Sequence, residues 1–235
     1  MAEVVVPGYL PSTAGLRFGN SFASVPLRTF SFLGIDIPIG RASNGLCGGM
    51  CYAARDYFEA GSAPPADLTP PVEGPLFDYL VDRLFDSFNL PLGPARYLRY
   101  MNPALRDGES FFSLLGLASR GRAWVMLRQE WPKIKAEIDV GRPTPIGLVT
   151  VKSRDPMQLG QNHVVLAYGY EAVGAVLRIR VYDPNFEGDD AVAIALSTAD
   201  PKKATEVTYT GRIFGGDQRI WCFFQTPYSR RTPPI

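Results

Sequence analysis

The hydrophobic period of this chain changes once, at Gly141, and that change limits the folds open to it. Before Gly141, apolar residues recur every three or four positions. After it they alternate, in short runs separated by turn residues. Helices first and strands second, rather than the two interleaved, is the α+β pattern with an antiparallel sheet.

The individual elements follow from spacing. Met50, Cys51, Ala54, Tyr57 and Phe58 predict a helix from Gly48 to Ala60, capped by Gly61. Leu76, Phe77, Leu80, Val81, Leu84, Phe85 and Phe88 form one stripe over Leu76–Phe88, with Asp78, Asp82 and Asp86 on another face. A shorter helix is predicted over Ala95–Met101. Another covers Arg122–Val140, with Pro132 either kinking it or opening a second helix. Strands are predicted at Ile146–Lys152, His163–Tyr170, Val176–Asp183, Ala191–Leu196, Glu206–Thr210 and Arg219–Gln225. The whole chain, 1–235, is read as one domain with a helical half over 47–140 and a β half over 144–226. Residues 1–40 form an extended arm with one or two short strands, and this arm and 227–235 wrap around the domain.

Composition narrows the function classes. Twenty-four Lys and Arg against 23 Asp and Glu leave a net charge of +1, so no nucleic-acid partner is expected. No run of 18 apolar residues is present, and no membrane partner is expected. The N-terminus, Met1-Ala-Glu-Val-Val-Val-Pro7, lacks a basic segment and a long apolar stretch, which makes a cytoplasmic location the expectation, with export by another route open. Three cysteines are too few for a disulfide framework.

The chain has one histidine, His163, so any imidazole chemistry must use it. It opens a predicted strand, and the next strand ends at Asp183-Pro-Asn185. A hairpin centred on Val173 puts His163 directly opposite Asp183, Val165 opposite Val181 and Ala167 opposite Ile179, with cross-strand Cβ atoms about 5 Å apart. On this register Tyr168 and Tyr170 share a solvent face with Arg178 and Arg180. A bulge would shift the register by one, with Asn185 as the fallback partner of His163. Cys47 and Cys51 stand at a loop-to-helix junction, where unpaired N–H groups and the helix dipole favour a thiolate and can receive an oxyanion. A thiol, an imidazole and an orienting carboxylate make a nucleophile, base and orienter set: Cys47, His163 and Asp183. Cys47 is the expected nucleophile, at the very first turn, with Gly48 and Gly49 letting substrate backbone approach. Cys51, one turn further on, is the alternative. Cys222 alternates into an apolar strand as core.

No cofactor and no metal are expected. Cys47, Cys51 and His163 have permissible zinc spacing but want a fourth ligand. Asp183–Asp190 starts like a calcium loop, yet Ile194 stands where the bidentate Glu belongs.

Asn162-His-Val-Val-Leu-Ala-Tyr-Gly-Tyr170 resembles the histidine strand of the papain-like cysteine peptidase superfamily, and Cys47-Gly-Gly-Met-Cys51-Tyr-Ala resembles its nucleophile helix. His163-Val-Val-Leu with Tyr182-Asp-Pro is similar to the bacteriocin-leader-processing (double-glycine) branch, with its Asp before Pro and Cys followed by Gly. The resemblance covers roughly residues 40–190. It implies a papain-like α+β fold and a thiol hydrolase or acyl-transfer activity that cleaves an amide bond of a peptide or small amide substrate. Deamidation, transglutamination and a non-enzymatic binding module on the same fold are the alternatives. Six residues before the nucleophile, where the family has glutamine, this chain has Arg41 (for Cys47) or Gly45 (for Cys51). Asn44 is the nearest amide and the expected oxyanion donor.

Overall fold

The computed structural model describes residues 2–23, 45–110, 113, 115–116, 119–211 and 219–234, with backbone alone over 29–32 and 35–38. The chain opens with strand β1 (Ala2–Val5) and the one-turn helix α1 (Pro11–Ala14). A small hairpin of β2 (Thr29–Phe32) and β3 (Ile35–Pro38) follows. Helices α2 (Cys47–Glu59), α3 (Pro75–Phe88) and α4 (Leu92–Met101) come next. Helix α5 (Arg122–Trp124) continues through a π-helical segment (Val125–Glu130) into α6 (Trp131–Asp139). The turn widens just before Pro132, whose ring would clash with a carbonyl four residues back and whose nitrogen has no hydrogen to give it. The strands are β4 (Thr144–Val149), β5 (His163–Val173), β6 (Val176–Tyr182), β7 (Ala193–Ser197), β8 (Val207–Tyr209) and β9 (Cys222–Gln225).

All of these but β2 and β3 join one antiparallel sheet in the order β8-β7-β6-β5-β4-β9, with β1 paired to the far part of β5. Helices plus an antiparallel sheet give the α+β class. Every residue of β4 and the first eight of β5 are buried, so both faces of the sheet centre are covered. Tyr168 and Tyr170, expected in solvent, are both buried. The arm accounts for the first: Val6 N–H donates to the Tyr168 carbonyl at 2.8 Å, and the Tyr9 ring lies 5.5 Å from that of Tyr168. Trp131 of α6 covers Tyr170, with ring centroids 5.1 Å apart.

The hairpin register also differs from the sequence reading. The turn sits at Gly174–Ala175, so that Val173 pairs with Val176 and Gly169 with Arg180. Gly174 has φ +58°, the left-handed backbone that a two-residue hairpin turn requires. A bulge at Tyr168 then shifts the pairing to Ala167↔Val181 and Leu166↔Tyr182. His163 is therefore not level with Asp183; continuing the register places Asp183 level with Val165, one diagonal step away.

Helix α2 lies between two apolar clusters. Met50 and Ala53 pack with Leu80, Val81 and Leu84 of α3 and with Leu16, Phe18 and Phe22 of the arm. Cys51 and Ala54 pack against the sheet cluster. A Cβ on Gly49 would collide with the Leu80 carbonyl, and one on Gly48 with the Ser87 hydroxyl. The two glycines thus make room for α3, rather than for substrate as the sequence suggested.

The far end of α2 is fastened by Asp56, which is fully buried. It pairs with Arg83 Nε of α3 at 2.7 Å and accepts hydrogen bonds from Tyr79 (2.8 Å), Tyr228 (2.6 Å) and the Arg231 N–H (2.9 Å). The last two belong to the C-terminal segment, which Tyr57 also holds through the Pro234 carbonyl at 2.9 Å. A buried ion pair returns its desolvation cost only when its remaining lone pairs are met, as they are here. Removing one partner leaves the other charge uncompensated. Asp56→Ala is expected to cost about 3–5 kcal/mol of stability in urea denaturation, with the m-value unchanged.

Candidate active site

The loop into α2 is built to present Cys47 at the first helical position. Gly45 has φ +87°, and Asn20 occupies the space that a Gly45 side chain would need. Leu46 is the N-cap and has no capping side chain of its own. Asn20 supplies that function from the arm, its Oδ1 accepting the Leu46 N–H at 2.6 Å. The first intrahelical bond runs from Met50 N–H to the Leu46 carbonyl at 2.8 Å, so the N–H groups of Cys47, Gly48 and Gly49 stand at the positive end of the dipole.

His163 enters from β5, the strand against which α2 packs. Its Nε2 lies 2.7 Å from Oδ1 of Asp183. The imidazole also acts on the Cys47 thiol, each shifting the other toward its charged form. Nε2 being engaged by Asp183, Nδ1 is the nitrogen open to the thiol. Cys47 is partly exposed, whereas His163 and Asp183 are buried. The structure therefore brings Cys47, His163 and Asp183 together.

The other candidates fall elsewhere. The Cys51 thiol is buried and donates to the Val164 carbonyl at 3.4 Å. Asn185 touches the group without displacing Asp183: its N–H donates to Asp183 Oδ1 at 2.9 Å, and its Nδ2 lies 3.4 Å from His163 Nε2. Cys222 is buried in β9. Asn44 and Arg41 lie outside the described residues.

Two side chains at the site were not legible in sequence. Asn20, nearly buried, ties three elements together: besides Leu46, its Nδ2 donates to Asn185 Oδ1 at 3.0 Å and its own N–H to the Pro184 carbonyl at 2.8 Å. Tyr209, at the end of β8, donates its hydroxyl to Asp183 Oδ2 at 2.6 Å. Both lie far along the chain from their partners, and neither stands in a motif.

The electrostatics of the three groups are reciprocal. Burial pushes the Cys47 thiol up, but the His163 charge, its hydrogen bond and the Val164 and Gly48 N–H groups outweigh that and bring it below the ordinary thiol value. Burial alone would depress His163; the Asp183 and Cys47 anions overcome it and raise the imidazole to about 10. Burial opposes the Asp183 charge too, and His163, Tyr209 and the Asn185 N–H hold the carboxyl below its usual range. The lowered thiol and the raised imidazole both shift toward a thiolate–imidazolium pair. By contrast, burial drives Cys51 well above the ordinary thiol value, with the Cys47 and Asp183 charges adding to it. Burial also pushes Cys222 up to about 12. Among the described residues no group of three or more His, Cys, Asp or Glu side chains is placed to hold a metal ion. No described helix is long and apolar enough to cross a membrane.

A pH dependence follows, with a definite sign. The folded-state value of His163, about 10, lies above the ordinary 6.5, so the stability it adds is fully present below pH 6.5 and lost as pH rises through 10. Denaturant midpoints measured at pH 6, 8 and 10 should therefore fall across the upper interval, and a His163→Gln variant should lose that part of the dependence. Cys47, being depressed, should reach its half-maximal iodoacetamide alkylation rate at a lower pH than the thiol of the denatured chain.

No protein-family model, no curated protein and no solved structure matches the chain. The chemistry of the constellation rests on its own geometry.

Proposed function

We propose that this protein is a thiol hydrolase or acyl-transfer enzyme with a papain-like fold, acting on an amide bond of a peptide or small amide substrate. The observation that carries the reading is the contact chain from the Cys47 sulfur through His163 to Asp183, at the start of a helix. The Cys47 thiolate attacks the substrate carbonyl carbon. The oxyanion forms beside the N–H groups at the α2 N-terminus. His163 gives the Nδ1 proton to the leaving amine, and a thioester remains on Cys47. His163 then takes a proton from the attacking water, which releases the acid and restores the thiolate; an amine attacking in place of water gives transfer. Asp183 keeps the imidazole oriented and stabilises its charge throughout, without taking the proton.

Cys47 rather than Cys51 carries the nucleophilic role in this reading. Cys47 is the partly exposed thiol with a lowered pKa, whereas Cys51 is buried, protonated and bonded to a main-chain carbonyl.

The test uses p-nitrophenyl acetate as an activated acyl donor, followed by peptide mapping. Cys47 should carry the acetyl group after a burst of nitrophenolate, and hydrolysis should regenerate the free thiol. Cys47→Ser should abolish the burst, and His163→Ala should slow it by about a thousandfold. Cys51→Ser should leave it within a few-fold of wild type. Acetylation no faster than for the denatured chain would point to a binding module and end the enzymatic reading. Once the burst is established, glutamine-containing peptides offered with an amine distinguish cleavage from deamidation and transfer.

A further inference from the structure

Strand β8 is three residues long and, among the described residues, forms the edge of the sheet beside β7. Its last residue, Tyr209, nevertheless reaches the centre of the candidate site. The hydroxyl donates to Oδ2 of Asp183 at 2.6 Å, while Oδ1 of the same carboxylate meets His163 Nε2 at 2.7 Å and the Asn185 N–H at 2.9 Å. A carboxylate turns about its Cβ–Cγ bond, and that torsion is broad and soft. A short bond from Tyr209 at Oδ2 restrains that torsion from the oxygen that does not face His163.

We propose that Tyr209 is the positioning residue of the Cys47–His163–Asp183 set: it locks the plane of the Asp183 carboxylate, so that Oδ1 stays in line with Nε2 and Nδ1 stays on the Cys47 sulfur. This role rests on the reading of Cys47 as nucleophile. Gly211 supports it, since a Cβ there would collide with the Tyr209 hydroxyl and with Asp183 Oδ2, so this position must stay open for the bond to form. The titratable groups that act on Tyr209 are Asp183, Cys51 and Cys47. Burial and the Asp183 charge hold the phenol well above its ordinary range, which keeps it a neutral donor at any working pH.

The single histidine makes the test direct, because its Nε2–H proton gives one assignable downfield NMR signal. In Tyr209→Phe that proton should exchange with water about tenfold faster, and iodoacetamide alkylation of Cys47 at pH 7 should slow by about tenfold, the worth of one hydrogen bond to a charged group. In an Asp183→Ala background the same substitution should slow alkylation no further, because Tyr209 acts only through that carboxylate. A purely structural role would slow both backgrounds alike. Should Tyr209→Phe fail to fold, Gly211→Ala tests the same bond with the tyrosine kept, and the same two changes are expected. A folded variant with an unchanged Nε2–H signal and alkylation within twofold of wild type overturns the positioning role. A wild-type Cys47 that alkylates only at the denatured-chain rate fails differently: it removes the nucleophile reading, and the role of Tyr209 in it, whatever the NMR signal shows.

Discussion

One extra residue in β5 decides which face of the sheet the carboxylate occupies. From its two-residue turn the hairpin runs in the register Val173↔Val176 to Gly169↔Arg180. Continued without interruption, that register would set Asp183 level with Leu166, on the face opposite His163. A strand's side chains alternate, so a slip of one residue moves a whole set across the sheet. The bulge at Tyr168 supplies that slip, and past it Asp183 and His163 share a face. The arm holds the bulge in place. Val6 donates to the Tyr168 carbonyl, Asp190 O accepts from the Tyr168 hydroxyl at 2.9 Å, and Gly169 lets Val4 approach more closely than a side chain would comfortably allow. The histidine–carboxylate contact thus depends on residues at the opposite end of the chain.

The placement of Cys47 depends on a different set of long-range contacts. Helix α2 has apolar residues on two sides and is gripped on both, by α3 and by the sheet. Its glycines bring α3 close at the Cys47 end, and Asp56 anchors the other end to α3 and the C-terminal segment. A helix fixed at both ends presents its first residue with little freedom. That matters because the N–H groups and the imidazole that lower the Cys47 thiol act with effects that fall steeply with distance.

Periodicity revealed the helices and strands of the core because those elements are amphipathic and local. The apolar stripe of α3 and the alternation of β5 through β7 begin and end within a few residues of where their spacing put them. The grouping of Cys47, His163 and Asp183 was legible for another reason: a chain with one histidine offers one place for an imidazole, and a cysteine at a helix start is physically marked. The register was not legible. Tyr168 is a good strand residue, and the one trace of the bulge is Gly169, a glycine inside a strand, which admits several explanations. Asn20 stands in an irregular segment, and Tyr209 in a short predicted strand, Glu206–Thr210. Both acquire meaning only through contacts with residues far away in sequence, which no local pattern encodes. The burial of Tyr168 and Tyr170 failed to show for the same reason, since the arm and α6 that cover them are remote.

Burial acts against charge at all three positions, yet each is shifted toward its charged form. Each alone would be neutral: an isolated buried thiol, imidazole or carboxyl gives up its charge rather than bear the desolvation. His163 is the member that both others need, because it lies between two anions and counters each. The charged state is consequently a property of the set. Removing Asp183 withdraws the charge that keeps His163 protonated, and a neutral imidazole no longer supports the Cys47 thiolate. The arm and β8 hold the parts of this set through Asn20 and Tyr209, so the surroundings of one partly exposed sulfur are maintained by side chains from distant parts of the chain. The far groups act on geometry and the near groups on charge, and the second effect exists only where the first has brought the three side chains within contact.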